Sequence, residues 1–103
     1  MIRHIVLFKL KTFEDPSEKA ATMQQIKSSL EALKGKIAEL NAIRVDFNVN
    51  PAESWDIVLT TEHDSLENLS KYASHPDHVA VSKNVIGPVK ADRACVDYEC
   101  SCQ

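Results

Sequence analysis

Two glycines and four prolines in 103 residues leave little material for a Gly-rich phosphate loop, a collagen-like repeat or a low-complexity linker. Cysteine is scarce and crowded at one end, as Cys95, Cys100 and Cys102. An odd cluster is no disulfide framework, and Cys100-Ser101-Cys102 offers a soft metal two thiolates with no histidine nearby. These residues read as reduced thiols, the last two on a frayed tail over about 100–103. Excess positive charge is missing too: 12 basic residues against 15 acidic ones give a net charge of −3, which does not favour a nucleic-acid partner. No apolar run approaches the roughly 20 residues that span a bilayer. The apolar start at Met1–Ile5 is not followed by the small-residue cleavage site of an export signal. The expectation is a cytoplasmic protein with no nucleic-acid or membrane partner.

Hydrophobic residues make up 44 % of the chain, enough for one core in one domain over residues 1–103 without help from metal or disulfides. Residues 2–10 are dense in Ile, Val, Leu and Phe and too short for a helix. Ile2, His4, Val6, Phe8 and Leu10 share one face, and Arg3, Ile5, Leu7 and Lys9 the other. Apolar residues on both faces predict a central strand. Asp15-Pro16-Ser17-Glu18 opens a helix with a cap, a first-turn proline and a capping-box glutamate. Its apolar stripe is Met23, Ile26, Leu30, Leu33 and Ile37, with Gly35 as the stop. Residues 42–49 alternate as an edge strand, and a third strand follows Trp55 at about 56–62.

A second capping box, Asp64-Ser65-Leu66-Glu67, starts a helix bearing Leu66, Leu69, Tyr72 and Ala73. Pro76 disfavours a helical conformation at His75 and predicts a break, with a short helix continuing to Ile86. Residues 92–99 alternate again, Arg93, Cys95, Asp97 and Glu99 against Ala94, Val96 and Tyr98. The order β-α-β-β-α-β implies an α+β, ferredoxin-like split βαβ sandwich, with a four-stranded antiparallel sheet in the order 4-1-3-2 and the helices on one face. Ile5, Leu7, Val58, Val96 and Tyr98 then share the uncovered face, an apolar patch that a homodimer through the sheets would cover.

The segment most able to do chemistry is Tyr72-Ala73-Ser74-His75-Pro76-Asp77-His78, with two imidazoles and a phenol at a helix break. Histidine exchanges protons near neutral pH, and a tyrosine hydroxyl can hold an enolate oxygen. His75 and His78 lack a third metal ligand at a recognised spacing, so no metal is expected. His4 lies on the otherwise apolar face of Val6 and Phe8. In the 4-1-3-2 order, the start of strand 1 approaches the end of strand 4, so His4 can meet Asp97. Either that pair tunes a site or it is a satisfied core pair. The same two readings hold for His75, which can simply cap its helix.

The chain resembles the stress-responsive A/B barrel family, also called the dimeric α/β barrel or Dabb domain. Three segments carry the resemblance: Ile2-Arg3-His4-Ile5-Val6-Leu7-Phe8-Lys9, Tyr72-Ala73-Ser74-His75-Pro76-Asp77-His78-Val79, and Val96-Asp97-Tyr98-Glu99. It implies a ferredoxin-like protomer that dimerises sheet to sheet into a barrel. The family's clearest enzyme, olivetolic acid cyclase of plants, folds a linear polyketide by aldol condensation without a cofactor. By that resemblance His78 is the catalytic base and Tyr72 supports the substrate oxygen, while His4, His75 and Asp97 surround the same cavity. Two departures separate this chain from the cyclase. Its first helix presents Met23, Ile26 and Leu30 and no aromatic residue, and Thr61 is polar where an aliphatic wall is expected.

Two readings follow. In the first the chain is a Dabb homodimer with a cavity between sheet and helices for a small apolar or carbonyl ligand, walled by Val6, Phe8, Leu59 and Thr61. In the second it is a cofactor-independent lyase or cyclase with His78 as base. A cofactor-free oxygenase of similar fold stands third. None of these readings calls for a bound cofactor.

Overall fold

The computed structural model describes residues 1–101. The chain runs β1 (Ile2–Leu10), α1 (Pro16–Glu31), β2 (Ala42–Phe47), β3 (Ile57–His63), α2 (Leu66–Ser74), α3 (Pro76–Val81), a π-helical turn over Ser82–Ile86, and β4 (Lys90–Glu99). The strands form one antiparallel sheet in the order β2-β3-β1-β4, read from the other edge as 4-1-3-2. This is the ferredoxin-like α+β sandwich. The apolar character of β1 on both faces follows from its place between β3 and β4.

Register places the inner-face side chains in rungs across the sheet. Asp97, His4, Thr61 and Ile43 form one rung, and Cys95, Val6, Leu59 and Val45 the next. The core gathers Val6, Phe8, Ile26, Leu30, Val45, Ile57, Leu59, Leu69, Tyr72 and Ile86, all buried. The helices lie against β2, β3 and β1. Along β4 nearly every residue stays exposed, so its inward side chains border an opening rather than a packed layer.

Local chemistry explains several element ends that differ from the sequence reading. Asp15 caps α1 by accepting the Ser17 N–H at 2.9 Å. That helix ends at Glu31, four residues before Gly35, and unwinds through tighter i→i−3 bonds such as Leu33 N–H to the Leu30 carbonyl at 3.0 Å. Gly35 takes a φ of +88°, a backbone conformation that glycine adopts without strain. Leu33 and Ile37 therefore reach the core from turns and not from the helix. Strand β2 stops at Phe47 instead of Val49, because the Asn48 amide donates to the Asn50 and Trp55 carbonyls and bends the chain away. For α2 the cap is Ser65, which accepts from the Asn68 N–H at 3.1 Å, one position later than the expected box. Cys100, expected on the frayed tail, is instead buried, and its N–H donates to the Met1 carbonyl at 2.8 Å. Cys102 lies outside the described residues.

Ile26 sits on the buried face of α1 with no exposed surface. Ile26→Ala is expected to destabilise the fold by about 2–5 kcal/mol, measured as a lowered urea midpoint with an unchanged slope.

Candidate active site

Four ring side chains from four elements line up between sheet and helices. His4 of β1 and His63 of β3 meet edge to face, with centroids 6.4 Å apart. Next comes Tyr72 of α2, 4.9 Å from His63, and then His78 of α3, 4.5 Å from Tyr72. The extended conformation of His75 (φ −62°, ψ 135°) between α2 and α3 makes this possible. A continuous helix would carry His78 along the α2 axis, whereas the break lets its ring fold back against Tyr72.

Hydrogen bonds fix the tautomers of the histidines, and burial fixes the state of Tyr72. The Nδ1–H of His78 donates to the Ala73 carbonyl at 2.9 Å, which leaves Nε2 as the unprotonated nitrogen. Burial lowers the His78 pKa, with smaller contributions from His4, Arg93 and His75, so the ring is neutral at pH 7 and able to take a proton. His63 donates from Nδ1 to the Glu39 carbonyl at 2.7 Å and accepts the Thr61 hydroxyl at Nε2, 2.8 Å. Burial lowers its pKa as well. Tyr72 is 1 % exposed, and burial raises its pKa, so it stays a phenol. Among the described residues its hydroxyl is the one buried side-chain polar atom with no hydrogen-bond partner.

A cavity of about 500 Å³ lies against this row. Val6, Phe8, Leu30, Leu59, Leu69 and Ile86 make it apolar, while His4, Tyr72, His78, Cys95 and Asp97 supply polar atoms, and Lys90 and Arg93 stand on the β4 side. His4 Nδ1–H donates to Asp97 Oδ1, its cross-strand partner. The Cys95 sulfur lies 3.4 Å from the same nitrogen and 3.6 Å from that oxygen. Burial, with the Asp97 charge behind it, raises the Cys95 pKa and keeps it a thiol. The donor atoms of His4, Cys95 and Asp97 lie within 4.8 Å of one another, a set chemically compatible with three of the four positions around a zinc-type ion.

The profile of the stress responsive A/B barrel domain matches residues 2–100. The chain belongs to the stress responsive A/B barrel (Dabb) family. It is 34 % identical over 98 residues to a stress-response A/B barrel domain-containing protein of Arabidopsis thaliana, covering 95 % of this chain and 36 % of that protein. The chain thus spans about a third of the length of that relative. Among solved structures it resembles a dimeric protein of ferredoxin-like fold from Bacteroides fragilis, with 45 % identity, a TM-score of 0.88, and 95 % and 94 % of the two chains covered. The hydroxynitrile lyase of Passiflora edulis shares the fold at 16 % identity and a TM-score of 0.76, with 94 % and 90 % covered.

Of the residues singled out in the sequence, the Dabb chain brings His4, Val6, Phe8, Leu59, Tyr72, His78 and Asp97 to one cavity. It keeps two away from it. His75 does not line the cavity; its Nδ1 accepts the Asp77 N–H at 3.1 Å and caps α3. Thr61 is fully buried behind the cavity, where it anchors His63 and through that ring backs Tyr72. Sequence reading passed over His63, Cys95, Lys90 and Arg93. For His63 a signal was present, because it continues the Ile57, Leu59, Thr61 alternation by one more step.

The two lowered histidines set the direction of a pH effect. A folded-state pKa below the ordinary 6.5 means that the unfolded chain binds protons first as pH drops. Stability is therefore expected to be full above about pH 6.5 and to fall as pH decreases past it, measured by urea unfolding from pH 8 to 5. His63→Gln should flatten that slope even where it lowers the plateau.

Proposed function

We propose that this Dabb protein is a cytoplasmic homodimer whose cavity abstracts a proton next to a carbonyl, a cofactor-independent lyase or cyclase step with His78 as base. The observation that carries the reading is the buried Tyr72 hydroxyl without a partner, on the cavity wall beside His78. An unsatisfied buried hydroxyl costs roughly 1–3 kcal/mol, and packing alone would be served as well by phenylalanine. A ligand oxygen in the cavity gives that donor its acceptor.

Nε2 of His78 removes the proton from the carbon beside the carbonyl. The C–H electron pair forms a carbon–carbon double bond as the carbonyl π pair moves onto oxygen, and the enolate oxygen accepts the Tyr72 O–H. The enolate carbon then attacks a second carbonyl, as in an aldol closure, or expels a leaving group. The imidazolium returns its proton to the aldol alkoxide or, in the second case, to the leaving group as it departs with its bonding pair. His4, held by Asp97, lines the wall next to the reacting atoms, and His75 fixes the turn that aims His78. A ligand-binding dimer without chemistry is the second reading, favoured by the exposed inward face of β4, which leaves one side of the cavity open to water.

The dimer rests on the outer sheet face. Ile5, Leu7 and Ala94 adjoin Val96 and Tyr98 there, and the last two are 56 % and 40 % exposed. The similarity to a dimeric Bacteroides protein supports a dimer. Val96→Lys is expected to convert dimer to monomer in light scattering while the fold remains intact by circular dichroism. A dimer of undiminished affinity would place the interface elsewhere.

Catalysis is checked by deuterium uptake at the α-carbon of enolisable carbonyl compounds, both neutral (acetylacetone) and anionic (acetoacetate), followed by proton NMR. His78→Ala should lose about 10²–10⁴-fold of the protein-dependent rate. Tyr72→Phe should lose about 10²–10³-fold and yet be at least as stable as the wild type, since it removes an unsatisfied group. Wild-type exchange no faster than buffer would leave the ligand-binding reading.

A further inference from the structure

The β4 wall of the cavity carries two cations, one of which, Arg93, also acts on the neighbouring Cys95 thiol. Lys90 and Arg93 both line it, and neither side chain forms an ion pair among the described residues. Arg93 faces inward by simple alternation with Cys95 and Asp97. Lys90 does not: three residues from Arg93, it would point to the opposite face of a regular strand. The register explains its position. Lys9 pairs with Asp92 but Leu10 pairs with Lys90, so Ala91 is an extra residue, a β-bulge. Bulges re-aim the side chains beyond them. This one turns Lys90 to the face of Leu10, the inner face, and puts a second positive charge beside Arg93. The pairing is local, since the whole chain carries a net charge of −3.

Arg93 is also near enough to His78 for its charge to help keep that ring neutral. Arg93 is therefore within electrostatic reach of the base, while Tyr72 supplies the oxygen donor.

We infer that Lys90 and Arg93, brought to one face by the Ala91 bulge, form a binding site for an anionic group, so that the carbonyl ligand of this cavity is an acid or a phosphate ester and not a neutral ketone. The inference rests on the carbonyl-ligand reading and names its substrate class. A guanidinium binds either anion in a two-pronged contact, and a lysine ammonium adds a point charge. Anchoring the anion on β4 holds the adjacent carbon and carbonyl toward His78 and Tyr72, as a 3-oxo acid requires.

Calorimetric binding of acetoacetate, its neutral methyl ester and dihydroxyacetone phosphate to the full chain tests this site. At least one of the anions is expected to bind about tenfold or more tightly than the ester, and the preference should shrink as salt rises. Whichever anion wins distinguishes a carboxylate from a phosphate ligand. Lys90→Gln and Arg93→Gln should each weaken the anion several-fold, leave the ester unchanged, and together abolish the preference. Equal binding of ester and anions, or an anion preference that survives the double variant, overturns the site. Deuterium exchange in the same samples separates the two claims. Anion selectivity without His78-dependent exchange retains the site and refutes the catalytic reading; exchange without selectivity does the reverse.

Discussion

The placement of β1 between β3 and β4 is the constraint on which the remaining structure depends. Because β1 pairs on both edges, each of its inward residues from Ile2 to Phe8 has a partner on either side, and His4 faces Thr61 on one flank and Asp97 on the other. One rung of the sheet thus assembles a carboxylate, an imidazole and a hydroxyl from three strands far apart in sequence. A shift of one residue in either pairing would send the partner to the opposite face. The site is in this sense a property of register before it is a property of any side chain.

From that rung the polar groups extend upward in a graded way. Thr61 is sealed beneath and holds His63; His63 touches Tyr72; Tyr72 touches His78 at the cavity. Groups deep in the row are satisfied by the fold, as His63 is between Thr61 and the Glu39 carbonyl. The unsatisfied hydroxyl of Tyr72 appears where the row meets open volume. Burial acts on both kinds of group in one direction, disfavouring charge: it keeps His78 a neutral base and Tyr72 a neutral donor. A base and an acid of that kind are what enolate chemistry uses.

Much of this was legible in the residues. Alternation in β1 and β4 identified the inward faces, and the chain order of strands and helices constrained the sheet order tightly enough to bring His4 to Asp97. Proline after His75 marked the break that aims His78. Other features depended on information that periodicity does not carry. His75 was a cavity candidate by the family resemblance, with helix capping as the other reading, and the extended backbone that breaks the helix turns its ring toward the Asp77 amide. Helix α1 ended before its glycine, and Leu33 and Ile37 are buried from turns all the same.

In the sequence, hydrophobic periodicity alone was enough for the layered architecture and the two faces of the central strand. Residue chemistry singled out the Tyr72–His78 segment, while the choice of His78 as base and Tyr72 as oxygen donor came from the family resemblance. Tertiary structure decided which groups share a wall. It buried Thr61 behind His63, left the Tyr72 hydroxyl unpaired, and through one extra residue at Ala91 turned Lys90 inward beside Arg93. The physical reason is that a bulge or a register is chosen by pairing between strands distant in the chain, and such a choice leaves no periodic mark on the segment that carries it.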